Sequence, residues 1–281
     1  MNQKPISDLL KFSIINIDKP AGPTSFSISE FIKKSFDSNK TSHFGTLDPA
    51  VSGVLPIALS RACRLSDYFM HKEKEYVGIM RLHSDVSEDK LKKAIKEFIG
   101  KITQLPPKRS RVKRAERIRE IKKFEILEIQ GKDVLFLTEV QAGTYIRKLC
   151  HDIGKNIGGA HMFELRRTRA GIFSEKDKNF IDLYEFEKII EEYKKGNDSL
   201  LKKILIPAEE AILKVLPHVR ISEKNLKQLL TGKPVTKSDL LQNDELPKED
   251  KFAIFCNAQF IGIYHKTNEK EIIARAEFVF N

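Results

Sequence analysis

Tryptophan is missing from this 281-residue sequence, and cysteine is scarce: Cys63, Cys150 and Cys256 lie far apart, with no C-x-x-C pair. That excludes an even disulfide framework and marks the three as reduced core residues. His71, His83, His151 and His161 show no zinc-like spacing, so no metal is expected. Neither G-x-x-x-x-G-K-[ST] nor G-x-G-x-x-G occurs, so no nucleotide cofactor is expected. No apolar run approaches the ~18 residues that span a bilayer, which argues against a membrane partner. The start "MNQKPISDLLKF" lacks the basic-then-apolar order of a secretory leader, and the expectation is a cytoplasmic protein, or a nuclear one if the cell has a nucleus. With no Trp, core volume must come from Leu, Ile and the 18 Phe.

Acidic residues are outnumbered. Lys+Arg 50 against Asp+Glu 39 leaves a formal net charge of +11, which favours a polyanionic partner, nucleic acid first. Much of the excess is concentrated in "KITQLPPKRSRVKRAERIREIKK", Lys101 to Lys123, with ten Lys/Arg and two Asp/Glu. A charge run is ordinarily a solvated face. Here the acidic residues that usually interleave are lacking, so Lys108, Arg109, Arg111, Lys113 and Arg114 are candidate phosphate contacts. Pro106-Pro107 imposes an extended lead-in, better suited to docking than to a helix. Arg166 and Arg167, with Arg169, make a second cluster whose forked guanidinium groups fit phosphate at two points.

The length suits two domains. "SIINIDKP" reads as a strand stopped by Pro20. Ser27 and Glu30 have capping-box spacing for a helix with Ile28, Phe31, Ile32 and Ser35 along one side. Alternation over "KEYVGIMRLH" places Tyr76, Gly78, Met80 and Leu82 on one strand face. Ser87 is the expected cap of a helix turning Leu91, Ile95, Phe98 and Ile99 inward and stopping at Gly100. "FEILEIQGKDVLFLTEV" reads as a hairpin through Gly131-Lys132-Asp133. "GTYIRKLCHDIGKNIGG" reads as a helix capped by Thr144, with Ile146, Leu149, Ile153 and Ile157 inward and Arg147 near its start. "HMFELRRTR" reads as a strand, and Asp182 caps a helix ending near Gly196. The polar "KKGNDSLLKK", Lys194 to Lys203, is the expected boundary, giving domains 1–200 and 201–281. Beyond it a helix from Ser222 and three short strands fit a small β-barrel.

In "HFGTLDPAVSGVLPIAL", Asp48 is the one acidic residue of an otherwise uncharged stretch. As a turn residue, Asp before Pro bonds nearby backbone N–H groups. As a metal ligand it lacks companions other than His43. As a nucleophile or base it needs to be ionised in a shielded pocket, with a cation offsetting lost hydration. Spacing alone leaves all three open.

The ordered series "INIDKPAGPTS", "HFGTLDPAVSGVLPIAL", "KEYVGIM", "QAGTYIRKL" and "AHMFELRRTRAG", from about Ile14 to Phe173, resembles the TruB/dyskerin family of pseudouridine synthases. "QLPPKRSRVKR" and "ELRRTRAG" lean toward the archaeal and eukaryotic branch, whose members are catalytic subunits of H/ACA guide-RNA particles. The tail resembles a PUA domain, an RNA-binding β-barrel. The resemblance implies an α+β fold: a catalytic domain on a mixed, largely antiparallel sheet, then a PUA-like barrel. It implies isomerisation of specific uridines without cofactor or metal, with guide RNA, rRNA or tRNA and small protein subunits as partners, and residence in the cytoplasm if archaeal or the nucleus and nucleolus if eukaryotic. By similarity Asp48 is the catalytic aspartate, Arg147 its ion-pair partner in a water-poor recess and Tyr76 the active-site tyrosine that stacks on the base. Ile146 and Leu165 are apolar walls, and His43 helps displace the base. Lys19 falls in the first motif near the substrate and braces the catalytic loop. Phe44 stands where a smaller residue or an Arg is common, so this loop is expected to pack differently. Two rival readings are a guide-free synthase acting on the tRNA T-loop and a non-catalytic RNA-binding scaffold.

Overall fold

The computed structural model describes residues 4–36, 40–106, 113–241, 245–267 and 269–281. The chain divides into two compact units, one ending at Leu205 and the other running from Ile206 to Asn281. The polar stretch at 194–203 therefore lies within the first unit, where it ends one helix and builds another.

The first unit begins α1 (Ile6–Lys11), β1 (Ser13–Lys19), α2 (Ser25–Ser35), β2 (Thr41–His43), β3 (Ser52–Leu59), α3 (Ser66–Met70) and β4 (Lys74–Leu82). It continues α4 (Glu88–Lys96), β5 (Gly100–Gln104), β6 (Arg117–Gln130), β7 (Asp133–Val140), α5 (Ile146–Lys155) and β8 (Ala160–Ala170). It closes with β9 (Phe173–Ser174), β10 (Phe180–Ile181), α6 (Leu183–Lys194) and α7 (Ser199–Ile204). The strands form one mixed sheet with the central order β10-β1-β3-β8-β4-β7-β6-β5. β3 and β8 run parallel, as do β1 and β10, whereas the other neighbours along this path are antiparallel.

The period-two reading of β4 holds: Lys74, Tyr76, Gly78, Met80 and Leu82 face inward. They meet the stripe of α5, where Ile146, Leu149 and Ile153 are buried, and Leu91 and Ile95 of α4. Each fully buried side chain of this size contributes roughly 1.5–3 kcal/mol, far more than helix propensity supplies. A second core joins α2 and α6 to β1 and β3.

Several caps differ from the sequence reading. Thr24, not Ser27, caps α2, its Oγ1 accepting from Ser27 N–H at 3.0 Å. The Thr144 hydroxyl instead donates to Gln141 O at 2.7 Å, and α5 starts two residues on. Ser87 holds the cap position of α4 without a side-chain bond. Ile99 lies past the helix end and is 46% exposed. Asp182 caps α6 as expected, accepting from Glu185 N–H at 2.7 Å.

The second unit contains α8 (Ala208–Leu213), β11 (His218–Arg220), α9 (Leu226–Leu230), β12 (Val235–Thr236), β13 (Lys251–Cys256), β14 (Gln259–Lys266) and β15 (Ile272–Val279). Its sheet order is β11-β13-β14-β15-β12. An Ile221–Leu240 bridge and the Ser222 N–H to Asp239 O bond, 3.0 Å, tie the chain after β12 back to the chain after β11. The three cysteines are buried and free, and burial pushes the Cys63 thiol up to about 11. Among the described residues no helix is long and apolar enough to cross a membrane.

Candidate active site

Asp48 sits on the loop from β2 to β3, where Val51 N–H donates to its carbonyl at 3.0 Å and closes a tight turn through Pro49. Its carboxylate accepts a hydrogen bond from the guanidinium of Arg147, the second residue of α5, 99 positions away in the chain. Leu47 and Ile146, which directly precede Asp48 and Arg147 in the chain, belong with Val51, Tyr76 and Leu165 to one buried apolar cluster. The pair itself is not in a water-poor recess, as the sequence reading expected. The side chains of Asp48 and Arg147 are 52% and 59% exposed. An exposed pair of this kind is worth only about 0–1 kcal/mol.

Beneath the loop lies a buried positive centre. Arg167, 1% exposed, donates from Nε to Val54 O at 2.8 Å and from Nη2 to Gly45 O at 3.0 Å. A phosphate cannot reach it, so its reading as an RNA contact is corrected to that of a brace. Desolvation lowers its pKa, partly opposed by the neighbouring Tyr76 phenol. Arg166 is also corrected: it forks onto Asp18 at 2.9 and 2.8 Å and reaches Glu175 at 2.8 Å. Arg169 bonds Glu139 at 3.3 Å. All three guanidinium groups of β8 are thus already held by carboxylates or backbone carbonyls. Lys19, placed near substrate by its motif, is fully buried and donates to Pro20 O at 2.7 Å and Pro49 O at 3.2 Å, bracing the loop without access to a base. Burial, then Arg167, lowers its pKa, with Asp48 partly opposing.

His43 ends β2 half-buried, its Nδ1 without a hydrogen-bond partner. Burial first and Arg167 second lower its pKa, which favours the neutral imidazole. Phe44 packs inward, stacked on Phe69 with ring centroids 4.8 Å apart and near Phe173. Lys113 and Arg114 are exposed, short of β6. Lys108, Arg109, Arg111 and Pro107 lie outside the described residues. Among the described residues no three His, Cys, Asp or Glu are grouped to hold a metal ion.

Sequence reading missed Lys74, Ser25 and Gln104. Lys74 lies on the inward face of β4, and the alternation that placed Tyr76 inward already required it there. Its Nζ donates to Met70 O at 3.0 Å and Lys72 O at 2.5 Å. Burial, then Arg167, lowers its pKa to about 7. Ser25 fell within a quoted motif and Gln104 within the basic segment, without either spacing marking it as a site residue.

Residues 33–146 match the TruB family pseudouridylate synthase N-terminal domain, and residues 147–213 match the tRNA pseudouridylate synthase B C-terminal domain. A Methanopyrus kandleri protein named "Probable tRNA pseudouridine synthase B" is 47% identical over 232 residues, 82% of this chain and 68% of its own length. A Pyrococcus abyssi protein of the same name is 43% identical over 260 residues, 90% of this chain and 76% of its own. Among solved structures, one described as a Cbf5-Nop10-Gar1 complex aligns at a TM-score of 0.89 with 39% identity, covering 99% of this chain and 88% of that one. Another, an H/ACA RNP bound to a substrate RNA containing 2'-deoxyuridine, aligns at 0.87 with 37% identity, covering 99% and 88%. The class is that of the RNA pseudouridine synthases. Within it, this chain belongs to the TruB family.

Proposed function

We propose that Asp48 is the carboxylate that detaches uracil from ribose, with Arg147 as its hydrogen-bonded partner. The reaction exchanges a bond from N1 to C1′ for one from C5 to C1′ and moves the C5 proton, so atoms balance without a co-reactant. Whether the carboxylate attacks sugar, attacks ring or takes a sugar proton, it must supply an electron pair, which an ionised oxygen has. The observation that carries this reading is the Asp48–Arg147 hydrogen bond, whose members directly follow Leu47 and Ile146 of the buried apolar cluster that also holds Tyr76 and Leu165. A uridine flipped onto that apolar floor displaces water from the half-exposed pair, so the attraction strengthens when substrate arrives. Base flipping costs a few kcal/mol, and contacts to the RNA backbone offset it. His43, neutral and beside the loop, is the group placed to push into the vacated stack.

The chain acts on RNA as the catalytic subunit of an H/ACA-type particle, with guide RNA and small protein subunits selecting the uridine. Support comes from solved relatives, one described as a Cbf5-Nop10-Gar1 complex and one as an H/ACA RNP bound to a substrate RNA, each aligned over 99% of this chain. A second support is the outer face of the sheet. Val77 pairs with Leu137 and Ile79 with Leu135 in register, all half-buried, and exposed Phe163 lies under Arg81 at 3.8 Å. This apolar sheet surface suits a protein cover. The C-terminal unit acts as a PUA-like grip on RNA. The curated relatives' names favour an alternative, guide-free action on tRNA.

Incubating the purified chain with unmodified tRNA, with and without guide RNA and partner proteins, separates these routes. Asp48→Asn is expected to abolish pseudouridine formation in every assembly while RNA affinity stays within a few-fold. Retained turnover in that variant rejects the catalytic role of Asp48.

A further inference from the structure

The Asp48–Arg147 pair is half-exposed and too weak to define its own geometry. Both partners also depend on irregular backbone: Leu47, just before Asp48, and Tyr145, two residues before Arg147, lie outside any strand or helix. Each of these two residues is gripped at two points by one buried polar side chain. Ser25, 1% exposed, accepts from Leu47 N–H at 2.8 Å and donates to Leu47 O at 3.1 Å. Gln104, also 1% exposed, accepts from Tyr145 N–H at 3.0 Å through Oε1 and donates to Tyr145 O at 3.3 Å through Nε2.

A clasp on both the N–H and the C=O of one residue fixes the rotation of that residue as well as its place, which a single bond does not. α5 has no side-chain cap hydrogen bond, and Gln104 holds instead the N–H and C=O of its N-cap residue, Tyr145. On the far side of Asp48, Pro49 O accepts from Gly22 N–H at 2.8 Å and from Lys19. Buried main-chain polar groups must be paired, and here the pairing groups reach across 22 and 41 residues to the two backbones that carry the ion pair.

We infer that Ser25 and Gln104 are positioning residues for the isomerisation, setting Asp48 against Arg147 by clasping the backbone in front of each. This rests on the reading of Asp48 as the catalytic carboxylate. A misplacement of about 1 Å at a reacting group costs on the order of 100-fold in rate. Neither clasp touches the base, so the loss falls on the chemical step and not on binding.

The test uses the full chain in the assembly that supports wild-type turnover, measuring single-turnover pseudouridine formation, RNA affinity and the unfolding midpoint for each variant. Ser25→Ala and Gln104→Met are expected to slow the single-turnover rate by about 10- to 100-fold with RNA affinity within twofold. Ser25→Thr, which keeps the hydroxyl, and Gln104→Glu, which keeps the acceptor for Tyr145 N–H, are expected to recover part of that loss and to serve if the first pair fails to fold. Asp182→Ala, which removes the cap of α6, is the control: it lowers the unfolding midpoint and leaves the rate unchanged. The inference is overturned if the clasp variants keep the wild-type rate, or lose RNA affinity as much as rate. It is also overturned if the control slows the reaction equally, since stability alone then explains the loss. Asp48→Asn in the same assay keeps the two readings apart: an active Asp48→Asn rejects the site itself, whereas an inactive one beside fast clasp variants rejects only the clasps.

Discussion

At the scale of single residues, the burial of cations under the loop has a measurable consequence. Lys74 titrates near 7 in the folded chain because burial and Arg167 disfavour its charge, against an ordinary 10.5. Between those values the unfolded chain binds more protons at this site, so the Lys74 contribution to stability rises with pH from about 7 upward. Urea unfolding of wild type and Lys74→Met at pH 6 through 9 is expected to show the wild type gaining on the variant as pH rises. A gap that is flat or widens the other way rejects the assignment. Glu73 opposes this shift and Arg169 reinforces it, so both belong in the analysis of that curve. Gly53 makes a second residue-scale prediction. Its φ is +102°, and an added Cβ would stand 2.2 Å from Arg167 O on the neighbouring strand. Gly53→Ala is expected to destabilise by on the order of 3 kcal/mol, read as a lowered urea midpoint, because main chain rather than a flexible side chain must move.

Elements are fixed by short-range chemistry that the sequence states only in part. The α2 stripe is readable, yet several hydroxyls near its start could cap it, and Thr24 wins because its side chain reaches Ser27 N–H. Thr24→Ala is expected to cost about 1 kcal/mol of unfolding free energy in denaturant titration. Thr144 loses its expected role because the Gln141 carbonyl takes its hydroxyl and Gln104 takes Tyr145. No spacing rule contains a partner 41 residues away. The hairpin through Gly131 and the alternation of β4 were legible because both are local: one is a turn, the other a period of two.

For the whole molecule, the net charge of +11 sets the approach of RNA. Binding is expected to weaken linearly on a plot of log affinity against log salt. Lys113 and Arg114, exposed and outside any strand, are expected to contribute about one unit of slope each. Replacing both by Ala and measuring affinity from low to moderate salt checks this, and an unchanged slope removes them from the interface. Arg166 and Arg167 carry the same formal charge but are excluded from this sum, since Asp18, Glu175 and backbone carbonyls already hold them.

The sequence by itself determined the strand alternation, the helix stripes, the hairpin and the family to which the chain belongs, because ordered motifs and local periods survive without knowledge of contacts. The resemblance also singled out Asp48 and Arg147, whose side chains the fold joins by a hydrogen bond. Only the tertiary structure decided which cations face solvent and which lie under the loop, that the Asp48–Arg147 pair is open to water, and that Ser25 and Gln104 grip the backbone in front of it. These depend on which residues far apart in the chain come to lie side by side, and burial, which sets the fate of a charge, is a property of that arrangement and not of residue type.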